Sequence, residues 1–384
     1  MINSMEGSQN KIVHFNFLDG VRGFLALYVL CVHSYITMNT PGFLVVFNWS
    51  AVYIGVFGFF VLSALLLTYK MLNDFKKSQS FYDIITIIFK YLIRRFFRIY
   101  MPFAFFALCL NFEITKGYTK NLNTIPNMLM LDRASNSHLW TIPIEIKYYF
   151  LIPIVCLVFH YSKKYWPLTL IASVLASFLL YSYVKYTHRD VYYGDSNKLY
   201  PRFPMFYSGS IVALLFFKYE NWSETKVKKF LSSKYFKFLI TILSFIMCYY
   251  ILRKLSKYYS PQLNMFDDSI HPGPKIGFLL FLMLIGAPNS FTKLFSENYF
   301  LTRMGHFSFG IYLWHPMCIQ IVRNNLKYFD KEADAIGFVI ILSILCGYLF
   351  YQFIEKLMMN IGNFFIQKVN SSNLFKIVKF LSFF

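Results

Sequence analysis

The sequence predicts an all-α integral membrane protein, a bundle of about ten transmembrane helices with both termini cytoplasmic. Three observations carry that prediction. Of the 384 residues, 57% are apolar, 21% aromatic and only 15% charged, against about 25% charged in soluble domains. Apolar runs recur along the chain, at residues 17–38, 43–68, 96–112, 140–160, 166–184, 204–217, 237–252, 276–290, 306–323 and 335–355, and a bilayer core of about 30 Å takes about 20 helical residues to cross. With the N-terminus inside, 23 of the 38 Lys and Arg residues fall in inner segments and 14 in outer loops, a positive-inside bias that favours an even number of crossings.

The same composition excludes other classes. A formal net charge of +20 would suit nucleic acid, but that needs a basic solvated face. Here the basic residues lie in loops between apolar runs, so no nucleic-acid partner is expected. Cys31, Cys109, Cys156, Cys248, Cys318 and Cys346 fall in apolar segments without a CxxC pair, so neither a disulfide framework nor a metal site is indicated.

In chain order, residues 1–16 read as a cytoplasmic N-terminal segment, 17–355 as the transmembrane domain, and 356–384 as a basic cytoplasmic tail forming an interfacial helix. The first run, FLDGVRGFLALYVLCVHSYITM, is too long for a signal-peptide core and lacks a small-residue cleavage site, so it is expected to stay as an anchor. It carries Asp19, Arg22 and His33. Eleven residues separate Arg22 from His33, which returns them to within roughly 20° of one helix face, about 16 Å apart. Ionisable groups inside a span mark a functional site by default. The structural alternative is an Asp19–Arg22 pair near the interface and a His33 that only bonds a neighbouring helix.

The segment FYDIITIIFKYLIRRFFRIYMP, 81–102, begins amphipathic and becomes apolar, as an interfacial helix entering the third span does, with Pro102 able to kink the junction. Arg94, Arg95 and Arg98 gather there. They are a topology signal with head-group contact, or a site for an anionic ligand that guanidinium forks would hold. In HLWTIPIEIKYYFLIPI, His138 and Glu145 are seven residues apart, again within about 20° on a helix. A purely structural pairing of Glu145 with Lys147 or an arginine stands beside a catalytic one. His315 lies mid-span in FGIYLWHPM before Pro316, either a satisfied intramembrane histidine or a group lining the site. The Tyr-rich loops 185–203 and 253–275 hold His188, Arg189, Asp190, Asp195, Asp267, Asp268 and His271 and single out no residue.

On these residues the sequence resembles the acyltransferase-3 family of multi-spanning membrane O-acyltransferases, which acylate surface polysaccharides and other extracytoplasmic acceptors. LDGVRGFLALYVLCVHS resembles the family's opening helix at Arg22 and His33, GFFVLSALLLT its second helix, and RRFFRIYMP its Arg-x-x-Arg motif at Arg95 and Arg98. HLWTIPIEIKYYFLIP is similar to its His-Leu-Trp and Glu segment at His138, Trp140 and Glu145, and FGIYLWHPM to its Tyr-Leu-Trp-His segment at His315. Two departures stand out: Ala64 replaces a usual glycine, and Ile146-Lys147 a more acidic, glutamine-bearing pair.

The resemblance implies an acyl-CoA donor, usually acetyl-CoA, as co-substrate and no permanently bound cofactor. It also implies a glycan or other hydroxyl-bearing acceptor at the cell membrane. His33 and Glu145 would be catalytic: in direct transfer His33 is the base, with Glu145 orienting the imidazole or stabilising its charged form, and an acyl-enzyme route is also compatible. Arg22, Arg95 and Arg98 would bind the donor, with Asp19, His138, Trp140 and His315 lining the site. A transporter or exporter of an anionic metabolite or polysaccharide precursor would also carry mid-membrane charges. A non-catalytic scaffold leaves those charges without a reason.

Overall fold

The structure, a computed structural model, describes residues 16–38, 49–109, 138–187, 198–222, 226–256, 272–329 and 331–371, and every regular element among them is helical. The loop 113–137, most of the two Tyr-rich loops with His188, Arg189, Asp190, Asp195, Asp267, Asp268 and His271, and the tail from 372 lie outside the described residues.

The helices are α1 (Asn16–Met38), α2 (Trp49–Lys77), α3 (Phe81–Arg95), α4 (Met101–Cys109), α5 (Thr141–Tyr161), α6 (Trp166–Thr187), α7 (Phe203–Glu220) and α8 (Lys226–Leu231). They continue as α9 (Lys234–Ser256), α10 (Pro272–Gly286), α11 (Ser290–Ser296), α12 (Tyr299–His306), α13 (Ser308–Asn324), α14 (Glu332–Phe350) and α15 (Lys356–Ser371). Each predicted apolar run has its helix. Among the described residues, six helices are long and apolar enough to cross a membrane, or up to seven if α10 and α11, bent by 97°, form one span. The shortfall from ten has simple causes. The helix α13 has only 17 residues, α7 closes on Lys218 and Glu220, and α4 is described only to Cys109.

Apolar on all sides, α2 takes the centre, packed by α1, α5, α7 and α10, with Phe60, Val61, Leu62, Ala64 and Leu65 fully buried. Hydrogen bonds tie it to its neighbours where no water competes. The Ser210 hydroxyl lies 2.8 Å from both Thr68 Oγ1 and the Tyr148 hydroxyl, joining α2, α5 and α7. At the rim, α6 and α9 turn Phe178, Leu179, Phe238 and Ile246 outward, as lipid-facing helices do.

The opening helix is seated by glycine. A Cβ at Gly23 would stand 2.0 Å from the Leu301 carbonyl oxygen, and one at Gly305 2.0 Å from that of Asp19, so α1 and α12 touch backbone to backbone. Small residues permit such contact in membranes.

Two π turns interrupt long helices. Phe96–Tyr100 joins α3 to α4, the Met101 N–H bonding back to Phe96 O. Pro102 follows at once; it has no N–H to donate and would crowd the carbonyl four residues back, and the widened turn relieves both. The second turn, Tyr351–Glu355, joins α14 to α15, so helix runs unbroken past the predicted boundary at 355. Beyond it α15 lies on α3 and the first π turn, stacking Phe365 on Phe97 with centroids 5.4 Å apart. The amphipathic α3 begins with a capping box between Ser80 and Asp83 and leaves Phe81, Ile85 and Phe89 exposed, the pattern of an interfacial helix.

Candidate functional site

Among the described residues, the arginines, acids and histidines singled out in the sequence fall into two clusters joined by Tyr312 and Thr141. The first lines an open cavity between α1, α2, the end of α3, α5, α12, α13 and the two π turns, about 790 Å³ counting the space it shares with solvent, which Arg22, Arg95, Arg98, Glu145 and Glu355 line. Arg22 is held from its own helix, Nη1 3.3 Å from Asp19 Oδ1 one turn earlier. Glu145 accepts a hydrogen bond from the Tyr149 hydroxyl one turn on, with Ser63 of α2 beside it in the wall. Arg98 Nη1 rests 3.9 Å from Met359 Sδ, while the Nε of Arg95 is buried and has no hydrogen-bond partner among the described residues. Val56, Phe59, Phe60, Ile99, Ile142 and Phe309 complete the wall. Guanidinium groups set among apolar side chains bind anionic or carbonyl oxygens strongly, because water does not screen them.

The second cluster is made of histidines. His33 Nδ1 lies 2.8 Å from His315 Nε2, the two rings within 6° of parallel. The His138 ring meets His315 edge to face, centroids 5.2 Å apart. His315 is 1% exposed, and its Nδ1 faces the carbonyls of Tyr312 at 2.9 Å and Ile311 at 3.2 Å. A carbonyl only accepts, so in the neutral ring Nδ1 carries the proton and Nε2 the lone pair. His33 must then donate from Nδ1, and its own lone pair stands on Nε2. A histidine so oriented can take a proton from a hydroxyl.

Tyr312 and Thr141 join the clusters. Both line the cavity, their hydroxyls lie 2.6 Å apart, and the Tyr312 hydroxyl donates to the His138 carbonyl while its own backbone carbonyl holds His315. The cavity thus ends one hydrogen bond from the histidines.

The structure therefore brings Arg22, Arg95, Arg98 and Glu145 to one cavity and His33, His138 and His315 to its end. Two sequence expectations come out differently. His33 is oriented by the hydrogen bond it donates to His315, while Glu145 accepts from Tyr149 beside the arginines. Trp140 is buried against Phe60, ring centroids 6.2 Å apart, and the Arg202 guanidinium lies 5.3 Å from the centre of its ring, so Trp140 walls the core behind the site. Asp19 acts on the cavity through Arg22. Sequence reasoning passed over Ser63, Tyr149, Tyr312 and Glu355. Tyr149 and Tyr312 had a signal, at four residues after Glu145 and three before His315 on helical faces.

A family model described as an acyltransferase domain matches residues 15–352. The chain belongs to the acyltransferase-3 family. This acyltransferase-3 chain is also 26% identical over 385 aligned residues to proteins of Staphylococcus aureus strains COL, MSSA476 and MRSA252, each named "Putative O-acetyltransferase". The alignments cover 90% of this chain and 57% of those relatives, so the chain spans little more than half their length. No solved structure matches it. The matched region contains the site residues named above except Glu355 and Met359, which lie three and seven residues beyond its end.

Proposed function

We propose that this chain is a cell-membrane O-acyltransferase, moving an acyl group, with acetyl as the first choice, from cytoplasmic acyl-CoA to a hydroxyl of an extracytoplasmic acceptor such as a surface glycan. The observation that carries the reading is the hydrogen-bonded chain from the Tyr312 carbonyl through His315 to His33, beginning at the wall of an arginine-lined cavity. It leaves a base at the end of a site able to hold a phosphorylated thioester.

In this reading the bundle crosses the membrane ten times with both termini in the cytoplasm, so Arg22 faces inward and His33 sits about 16 Å further out along α1. Arg22, Arg95 and Arg98 hold the donor's anionic and carbonyl oxygens. His33 Nε2 takes the proton of the acceptor hydroxyl as its oxygen attacks the thioester carbon. The new C–O bond forms, the C–S bond breaks, and the imidazolium returns its proton to the departing thiolate.

Purified protein in liposomes, given acyl-labelled acetyl-CoA and an acceptor glycan, tests this. Label on the glycan, lost in His33→Ala, is the expected result. Movement of an anionic solute without label transfer overturns the proposal in favour of transport.

A further inference from the structure

Glu355 is unexplained by the machinery above. Its side chain is 3% exposed and lines the arginine cavity, where the Arg98 charge and the Gly310 backbone act on the carboxyl group, while its Oε1 has no hydrogen-bond partner of normal geometry among the described residues. The π turn aims it there. On an uninterrupted helix Glu355, eight residues after Gly347, would stand about 80° off the Gly347 face; the residue taken up by the turn reduces that offset. Gly347 and Glu355 Oε1 accordingly both border Gly310, a Cβ at which would stand 2.6 Å from the Gly347 oxygen and 3.2 Å from Oε1.

An acceptor buried without its hydrogen bond is costly, and a ligand that supplies the bond recovers the loss. In the same wall Arg95 Nε has the opposite need, a buried donor without a partner among the described residues. A carboxylate oxygen seeking N–H and a guanidinium N–H seeking oxygen together complement a secondary amide. The apolar side chains that share this wall suit a thin, flexible arm better than a sugar. Resting on the acyl-CoA reading, we propose that Glu355 is a donor-binding residue that accepts an amide N–H from the pantetheine arm, with Arg95 on the donor's carbonyl side.

The test compares CoA with a CoA analogue N-methylated at its pantetheine amides, titrated calorimetrically into detergent-purified protein. Wild type is expected to prefer CoA by about 10- to 100-fold, the range of a hydrogen bond to a charged group. Glu355→Ala should lose that factor for CoA and bind both ligands alike. The isosteric Glu355→Gln, which keeps an accepting oxygen and serves where the alanine variant does not fold, should show a reduced preference. Variants that bind CoA as wild type does, or that lose equal factors for both ligands, would overturn the role of Glu355 alone. Folded wild type that binds no CoA would overturn the donor reading and this inference with it.

Discussion

A ring whose Nδ1 faces a backbone carbonyl has one way to treat a second histidine, and that constraint makes His315 the positioning residue for His33. The two should therefore separate kinetically. His33→Ala removes the proposed base and should lower kcat by about 10²- to 10⁴-fold. His315→Ala should lower kcat less, leave the KM for acyl-CoA unchanged, and be partly restored in His315→Asn, whose amide can still accept from His33. Steady-state rates on the labelled-glycan assay check this; a His315 variant that raised only KM would remove it from the relay. The arginines should behave oppositely. Arg98→Ala should weaken CoA binding about 10- to 100-fold. Arg98→Lys should restore only part of it, since a point charge does not reproduce a planar fork; titration with CoA reads both.

Elements hold these residues through contacts that sequence hints at and packing enforces. Because Gly23 and Gly305 lie against backbone carbonyls, Gly23→Ala should force α1 away from α12. It should destabilise the protein by about 1–3 kcal/mol, seen as a lowered midpoint of thermal unfolding in detergent. Gly337 on α14 has nothing within 4 Å of its Cβ position, so Gly337→Ala should change stability by no more than about 0.5 kcal/mol. Equal effects at the two sites would dissolve the argument from close approach. The π turns are the less legible devices. Pro102 gave notice of the first, since a proline in a helix must disturb the turn before it. YQFIE carries no proline or glycine, and nothing in its pattern announces that the helix widens there and turns Glu355 inward.

For the whole molecule, orientation is the testable consequence. In a cysteine-free background, Lys164→Cys between α5 and α6 should react with a membrane-impermeant maleimide only after cells are opened, and Leu326→Cys after α13 on intact cells. The reverse pattern would invert the bundle and leave the arginine cavity facing away from the proposed cytoplasmic donor. The sequence by itself determined the helical membrane class, the family, and which arginines, acids and histidines to look for inside the bundle. Those follow from composition, periodicity and ordered motifs, which are local properties of the chain. It could place Arg22 and His33 on one face of α1 because a helix repeats every 3.6 residues. Tertiary structure alone decided which partner each face meets: His315 against His33, Glu145 among arginines, Glu355 inside the cavity. Those pairings depend on how helices distant in sequence cross and on where their turns widen, and no spacing within one helix encodes the angle at which another packs against it.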